Sequence, residues 1–394
     1  MRRVVVSGRS GWELVSLAAA GLTLTPLVCL LLRAAQAGRG DWTRLWRTRI
    51  PELLVRSIGL AAGVAVATGV IGVWAAWMVT RYEFPGRRTW TWLLAAPLAV
   101  PPYILAFVAS DLFGRGIHHR YLPIATVLTL ATYPYVYLLT RSSLSSLHVG
   151  FEEVARAAGA KPGRVFRGVL LPMIRPGIAA GLFLVVLYCL ADFGAVSLLG
   201  YETFTRAIYD EFKARFDLES ASALAAVLVA LAIVPFALER TFRRRARYHQ
   251  TEGAPRTAPR PRLGRLATVL TWLGFGALFA AGFGAVVVRL VVATALDWDP
   301  AAARDLGRDL ANTVALSTLA ATIAVAVGFV VAYASVRLRS VAGAAAVRAI
   351  QAGYVLPGPI AAVGVLLAVT AIPGGNALLG TAAVLVAAYL VRFL

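Results

Sequence analysis

Apolar runs of about twenty residues recur along this chain, and that recurrence leaves little choice of fold. Once such a run leaves water it can satisfy its backbone only as a helix, so a chain built of them folds as a bundle of membrane-crossing helices. In the first part of the sequence the runs cover residues 12–32, 53–80, 89–113, 122–140, 177–199 and 221–238. Composition agrees, since 59% of residues are hydrophobic, 15% are charged and the mean hydropathy is +0.74. A soluble core cannot absorb that much apolar surface. The expected fold class is all-α, a polytopic membrane protein. Pro97, Pro101 and Pro102 fall inside the third run, where a kink is expected.

The net charge of +20 would point to nucleic acid in a soluble chain. Here the arginines cluster in short segments between apolar runs, so they read as topology signals and no nucleic-acid partner is expected. Residues 1–9 are short and basic, and the run after them is long for a signal-peptide core and is followed by further runs, so it reads as a span. An excess of arginine on the inner side places the N-terminus, the 81–88 turn, the 151–176 loop and an Arg/Pro-rich linker at 239–265 in the cytoplasm. Residues 33–49, 114–121 and 200–218 then lie outside; the arginines of 33–49 are the exception to the rule. Cys29 and Cys189 sit in apolar runs and read as small buried hydrophobes rather than a disulfide or a thiolate metal site.

The polar island at 152–176 reads as two short helices. Glu152 and Glu153 suit a helix start, where negative charge is favoured. Gly159 suits its end, because glycine enters the left-handed conformation without steric cost. Pro162 fits the first turn of a second helix, which Pro172 and Pro176 are expected to limit. Val154, Ala155, Ala157 and Ala158 are small enough for a partner to grip the first helix closely.

The pattern Glu153-Val154-Ala155, three residues, Gly159, nine residues, Val169, one residue, Leu171-Pro172 resembles the EAA signature of the membrane subunits of ABC importers. Val154 and Val169 depart from it conservatively. The resemblance implies that this loop forms coupling helices seated on a cytoplasmic ABC ATPase dimer. It further implies an external solute-binding protein, surrounding membrane lipid, alternating access, and a multi-pass place in a bacterial inner membrane with a cytoplasmic N-terminus. The chain itself would be no enzyme, because ATP hydrolysis would belong to the partner. An ordinary cytosolic loop between spans is the bland alternative.

The run Leu190-Ala-Asp-Phe-Gly-Ala-Val-Ser-Leu-Leu-Gly200, with Thr203 to Tyr209 after it, resembles the two-module permeases of ferric-iron importers. That implies iron(III) as solute, with thiamine or phosphonate permeases as rivals. An offset of about 256 residues carries Ser57, Leu60, Gly72, Arg81, Pro101, Ile104 and Tyr133 onto Thr313, Leu316, Gly328, Arg337, Pro357, Ile360 and Tyr389. A duplicated module is therefore expected, with 1–238 as the first, 239–265 as linker and 266–394 as a partial second of about four spans. The counterpart of Glu153 would fall past Leu394, so a truncated second module is expected.

Asp192 is a carboxylate in an apolar run, which costs about 2.5–3.5 kcal/mol on insertion scales and so faces a cavity or a partner. Asp192, Pro101 and Pro357 are the candidate path residues, with a structural, hydrogen-bonded acid as the alternative for Asp192. His118 and His119 read as a solvated outer loop. Gly59 and Gly63 have the spacing for close helix approach. There is no Gly-x-x-x-x-Gly-Lys-Ser/Thr phosphate loop and no His-Glu-x-x-His zinc helix, and Ser142, Ser143, Ser145 and Ser146 stand near His148 without an acid to orient it. No cofactor or metal is expected. An ion-gradient carrier and a non-transporting scaffold are the alternatives of a different class.

Overall fold

The structure is a computed structural model that describes residues 4–147, 150, 155, 157–245, 260–296, 299–337, 340–354 and 358–393. Seven helices among these are long and apolar enough to cross a bilayer, so the protein is an all-α, polytopic membrane protein. In chain order the main helices are α1 (Val4–Gln36), α2 (Arg39–Thr48), α3 (Ile50–Arg81), α4 (Arg87–Leu93), α5 (Pro102–Phe113) and α6 (Tyr121–Ser145). They continue as α7 (Leu171–Ala191), α8 (Gly194–Leu198), α9 (Phe204–Lys213), α10 (Leu218–Arg245), α11 (Arg265–Phe279) and α12 (Ala285–Leu296). The last are α13 (Pro300–Val336), α14 (Val341–Tyr354), α15 (Gly358–Thr370) and α16 (Ala382–Phe393).

Three expectations are corrected. The third run is no kinked helix but two, Arg87–Ala99 and Pro102–Phe113, bent by 87° at the break. Pro101 at the break is extended, with ψ at 136°, and its successor Pro102 lacks the N–H that would carry the ladder across. The fifth span is Gly163–Ala191, not 177–199, because the chain turns extended at Asp192. Nor do Pro172 and Pro176 stop the second loop helix: the turn Pro162–Val165 runs through a π-helical stretch, Phe166–Leu170, into α7. Pro172 follows directly on the π-helical stretch, whose wider turn accommodates the missing N–H and the change of register.

The chain forms two compact units, each drawn from separated segments. One comprises Leu54–Thr203 and Ile233–Leu296. Its centre is α6, and both α3 and α7 press on Val136 through glycines. A β-carbon at Gly72 would lie 2.8 Å from Val136 Cβ, and one at Gly181 2.7 Å from Val136 Cα. The core below them gathers Ala76, Val79, Leu94, Tyr133, Tyr137, Ile174 and Phe275, and the Tyr137 hydroxyl donates to the Thr91 carbonyl at 2.8 Å. Gly59 and Gly63 receive the first residue of α6: the Tyr121 hydroxyl donates to the Gly59 carbonyl at 3.2 Å and occupies the space a β-carbon on Gly63 would need.

The other unit comprises Met1–Leu53, Phe204–Ala232 and Asp297–Leu394. Here α1 packs on α13, α14 and α15. Ala19, Val331 and Ala346 form a small core, Trp12 meets Tyr333 at 4.8 Å, and Gly364 closes on the Pro26 backbone. Shifted by the 256 residues of the sequence offset, Pro102–Phe113 falls on 358–369, and the helix there is Gly358–Thr370.

One arginine of the 33–49 segment has a local use in this unit. Arg44 lies 3.5 Å from both Asp41 and Asp217 and donates to the Ser220 hydroxyl at 3.0 Å. Asp217 caps α10 by accepting the Ser220 amide at 2.9 Å. Desolvation pushes the Asp217 carboxyl up, but Ser220 and Arg44 together outweigh it and hold the group below its ordinary value. A depressed carboxylate stabilises the fold above its unfolded pKa of about 3.9 and loses that contribution as pH falls through the folded value. Asp217→Asn is therefore expected to lower thermal stability at pH 7, with the difference shrinking as the pH is lowered below about 4. A difference that persists undiminished at pH 3 would contradict this account.

Candidate functional site

The loop that carries the sequence signature lies in the unit built around α6. Glu153 and Val154 lie outside the described residues; Ala155, Gly159, Val169, Leu171 and Pro172 lie within them. Gly159 has φ of +80°, and the Ala160 amide donates to the Ala155 carbonyl at 3.0 Å. This bond from the second residue past the helix cap to the third residue before it is the Schellman closure, which needs the left-handed residue between. A β-carbon on Gly159 would meet nothing within 4 Å, so glycine is required by the backbone and not by crowding.

Beyond the turn, Val165, Leu170 and Ile174 are buried while Arg164, Arg167 and Gly168 are exposed. The loop is pinned to α3 by aromatic packing: Phe166 meets Trp77 edge-on at 4.9 Å, and the Arg81 guanidinium lies 5.4 Å from the centre of the Trp77 ring. The same end of the unit holds the linker's return. Glu83 donates its amide to the Pro261 carbonyl at 3.0 Å and accepts the Leu263 amide at 3.1 Å, and Trp272 donates to the Pro85 carbonyl at 3.1 Å. No pattern in the sequence announced the Trp77–Phe166 contact, because aromatics in apolar runs are ordinary.

At the opposite end of α3 the two broken helices meet. The break at Pro101 opens α5, and the break at Asp192 opens α8; a β-carbon on Gly194 would lie 2.8 Å from Tyr103 Cβ, so the two short helices touch closely. The Asp192 carboxylate accepts the amides of Ala195 and Val196 at 3.1 and 3.2 Å. It caps α8, which matches the structural alternative for this acid. His119 is no freely solvated side chain. It sits at φ of +60°, its amide donates to the Leu199 carbonyl at 2.8 Å and its Nδ1 lies 2.8 Å from the Gly200 carbonyl oxygen. The His118 ring lies 2.7 Å from the Ser110 hydroxyl. Pro357 lies outside the described residues, and Pro101 and Asp192 each stand at the break that opens one of these two touching helices.

These two ends sort the polar segments as alternating topology requires. Residues 81–88 and 260–263 share one end of α3, while 119–121 and 200–202 share the other, where Arg56 and Glu202 pair at 3.8 Å. A helical bundle with broken spans at one level and a glycine-closed polar loop at one end is a transport architecture, and comparison with known proteins decides which. Residues 68–248 match the family described as the binding-protein-dependent transport system inner membrane component. A sulfate transport system permease protein, CysW, of Synechocystis is 30% identical over 201 residues, 46% of this chain and 72% of that protein.

The chain belongs to this family of inner-membrane transport components. The permease is also similar to the Fe(3+)-transport system permease protein FbpB 2 of Haemophilus influenzae, at 29% identity over 335 residues, 84% of this chain and 66% of that one. The molybdate/tungstate permease protein WtpB of Thermococcus kodakarensis is 24% identical over 220 residues, 55% of this chain and 87% of that protein. The permease thus spans slightly less than two thirds of the iron-transport relative, and the family match at residues 68–248 contains the whole signature loop.

Proposed function

We propose that this chain is the membrane path of an ATP-driven importer for iron(III), with the 151–176 loop as its docking piece for a cytoplasmic ATPase dimer and an external binding protein as its source of solute. The observation that carries the solute is the similarity to an Fe(3+)-transport permease over 84% of the chain, where the molybdate/tungstate match covers 55%. The N-terminus, the 81–88 turn and the linker then lie in the cytoplasm, where their arginines favour them. Residues 1–238 and 266–394 are two copies of one module, a reading supported by the recurrence of the α5 helix at α15.

In this mechanism Glu153 starts the docking helix, Ala155 lets the ATPase approach closely, Gly159 turns the chain, and Val169, Leu171 and Pro172 join the loop to α7. ATP-driven movement of the loop pulls on α7 and, through Phe166 and Trp77, on α3. Solute passes by the breaks at Pro101 and Asp192, with Pro357 at the equivalent position of the second module. Uptake of radioactive iron, sulfate and molybdate into cells expressing the permease with its ATPase and binding protein tests the assignment. Iron accumulation is expected, and sulfate or molybdate uptake in its place would overturn the solute.

Asp192 separates cap from path. Asp192→Asn keeps an oxygen that can accept the Ala195 and Val196 amides but removes the charge, whereas Asp192→Ala loses the cap at about 1 kcal/mol. If the charge serves the cation path, the asparagine variant will be present at parental membrane levels and defective in iron uptake. Parental uptake would confine Asp192 to capping α8.

A further inference from the structure

On an exposed face of the α6-centred unit an apolar groove of about 690 Å³ runs between α3 and the Phe166–Leu182 stretch. Its floor and walls include Val66, Val70, Trp74, Trp77, Leu171 and Leu182. Gly69 opens the space, since a β-carbon there would lie 3.3 Å from Leu182. Along α3 the groove extends from Ala65 to Trp77, about 18 Å at 1.5 Å per residue, which is a little over half of a hydrocarbon core of roughly 30 Å. It is therefore as deep as one leaflet. Val66 and Val70 are 69% and 68% exposed, so no described side chain of this unit fills it.

The end nearest Trp77 is basic. Arg81 stacks on that tryptophan, and Arg164 and Arg167 are exposed on the turns leading to Leu171. Arg175, also exposed, lies one turn beyond Leu171 and one turn before Ile178, so it flanks the slot part-way along and not at the Trp77 end. Among the described residues here the acid Glu83 is taken by Arg87 at 3.0 Å. A tryptophan and several arginines at one mouth, with a purely hydrocarbon slot behind them, fit an amphiphile whose head is anionic.

We propose that this groove is a binding site for an anionic phospholipid of the leaflet on the Arg81 side, with one acyl chain lying between Val66 and Trp77 and the phosphate met by the arginines at the mouth. The site stands on the α6-centred unit alone and does not depend on the docking role of the loop or on the solute. Because Leu171 and Phe166 touch both the groove and the loop, a bound lipid would stiffen the link between loop and α3.

The test is native mass spectrometry of the detergent-solubilised full chain after equilibration with mixed micelles of phosphatidylglycerol and phosphatidylcholine of matched chains. The parent should retain phosphatidylglycerol about tenfold over phosphatidylcholine, as two or more arginines at a headgroup imply. Val70→Trp, which fills the groove from an exposed position, should lose retention of both lipids. The double variant Arg164→Gln/Arg167→Gln should keep a lipid but lose the preference for phosphatidylglycerol. Equal retention of the two lipids by the parent, or unchanged phosphatidylglycerol retention by Val70→Trp, would overturn the site. So would a dimer that Val70→Trp dissolves, since the occupant would then be a second copy of the chain.

Discussion

Replacing Gly159 with valine is expected to cut uptake by about tenfold or more while leaving the amount of permease in the membrane unchanged. The residue sits at φ of +80° and closes the loop helix through the bond from the Ala160 amide to the Ala155 carbonyl. A β-branched side chain there is a genuine conformational outlier and costs on the order of 1–3 kcal/mol, which corresponds to roughly a tenfold or larger loss of the closed turn at 1.4 kcal/mol per decade. Space is not the issue, because nothing lies within 4 Å of where the β-carbon would stand. Asparagine, which tolerates the left-handed region, should therefore retain more uptake than valine. The strain falls on an exposed loop and not on a packed span, so ATPase recruitment and uptake should fail before folding does. Co-purification of the ATPase separates the steps: reduced recovery with Gly159→Val supports a docking defect. Parental uptake by that variant at normal levels would remove the loop from the mechanism.

Gly181→Val should act oppositely, through folding. A β-carbon at this position would lie 2.7 Å from Val136 Cα and 3.2 Å from Val136 N, both backbone atoms of α6 that cannot swing aside. Overpacking of this kind costs about 1–3 kcal/mol and occasionally more, and here it must push α7 off the helix at the centre of the unit. Lower membrane levels and a midpoint of thermal inactivation reduced by several degrees are expected. Gly72→Val should behave similarly from the α3 side, where Val136 Cβ is 2.8 Å and the Tyr137 amide nitrogen 2.9 Å from the added atom. Gly328→Val provides the control, since nothing lies within 4 Å of its β-carbon position. A Gly181→Val protein as stable as the Gly328→Val protein would show that α6 and α7 are not held this closely.

The two glycines illustrate how unevenly the sequence reports on its own fold. Gly159 follows a small-residue helix and precedes Lys161-Pro162, a local arrangement in which one conformation satisfies the chain, so its left-handed turn could be read from neighbours alone. Gly181 is one glycine among several in a span, and its meaning lies in Val136, which is distant in sequence and near in space. The same contrast holds at the breaks. Three prolines announced a disturbance in residues 89–113, but an 87° bend depends on neighbours that accept the freed backbone. The end of α7 at Asp192 carried no proline at all.

What the sequence by itself determined is whatever follows from hydropathy, backbone stereochemistry and short-range capping. This includes the all-α membrane class, most of the spans, the segregation of arginine-bearing turns, and the glycine-closed signature loop. Tertiary structure alone decided that α1 packs on α13 to α15, that Phe166 locks onto Trp77, that His119 pairs with Gly200, and that Asp192 is turned inward onto the amides of α8. Between helices in a bilayer the choice of partner rests on small residues, aromatic edges and single hydrogen bonds. Each of these is weak and none is periodic, so they acquire meaning only when the partner is in place.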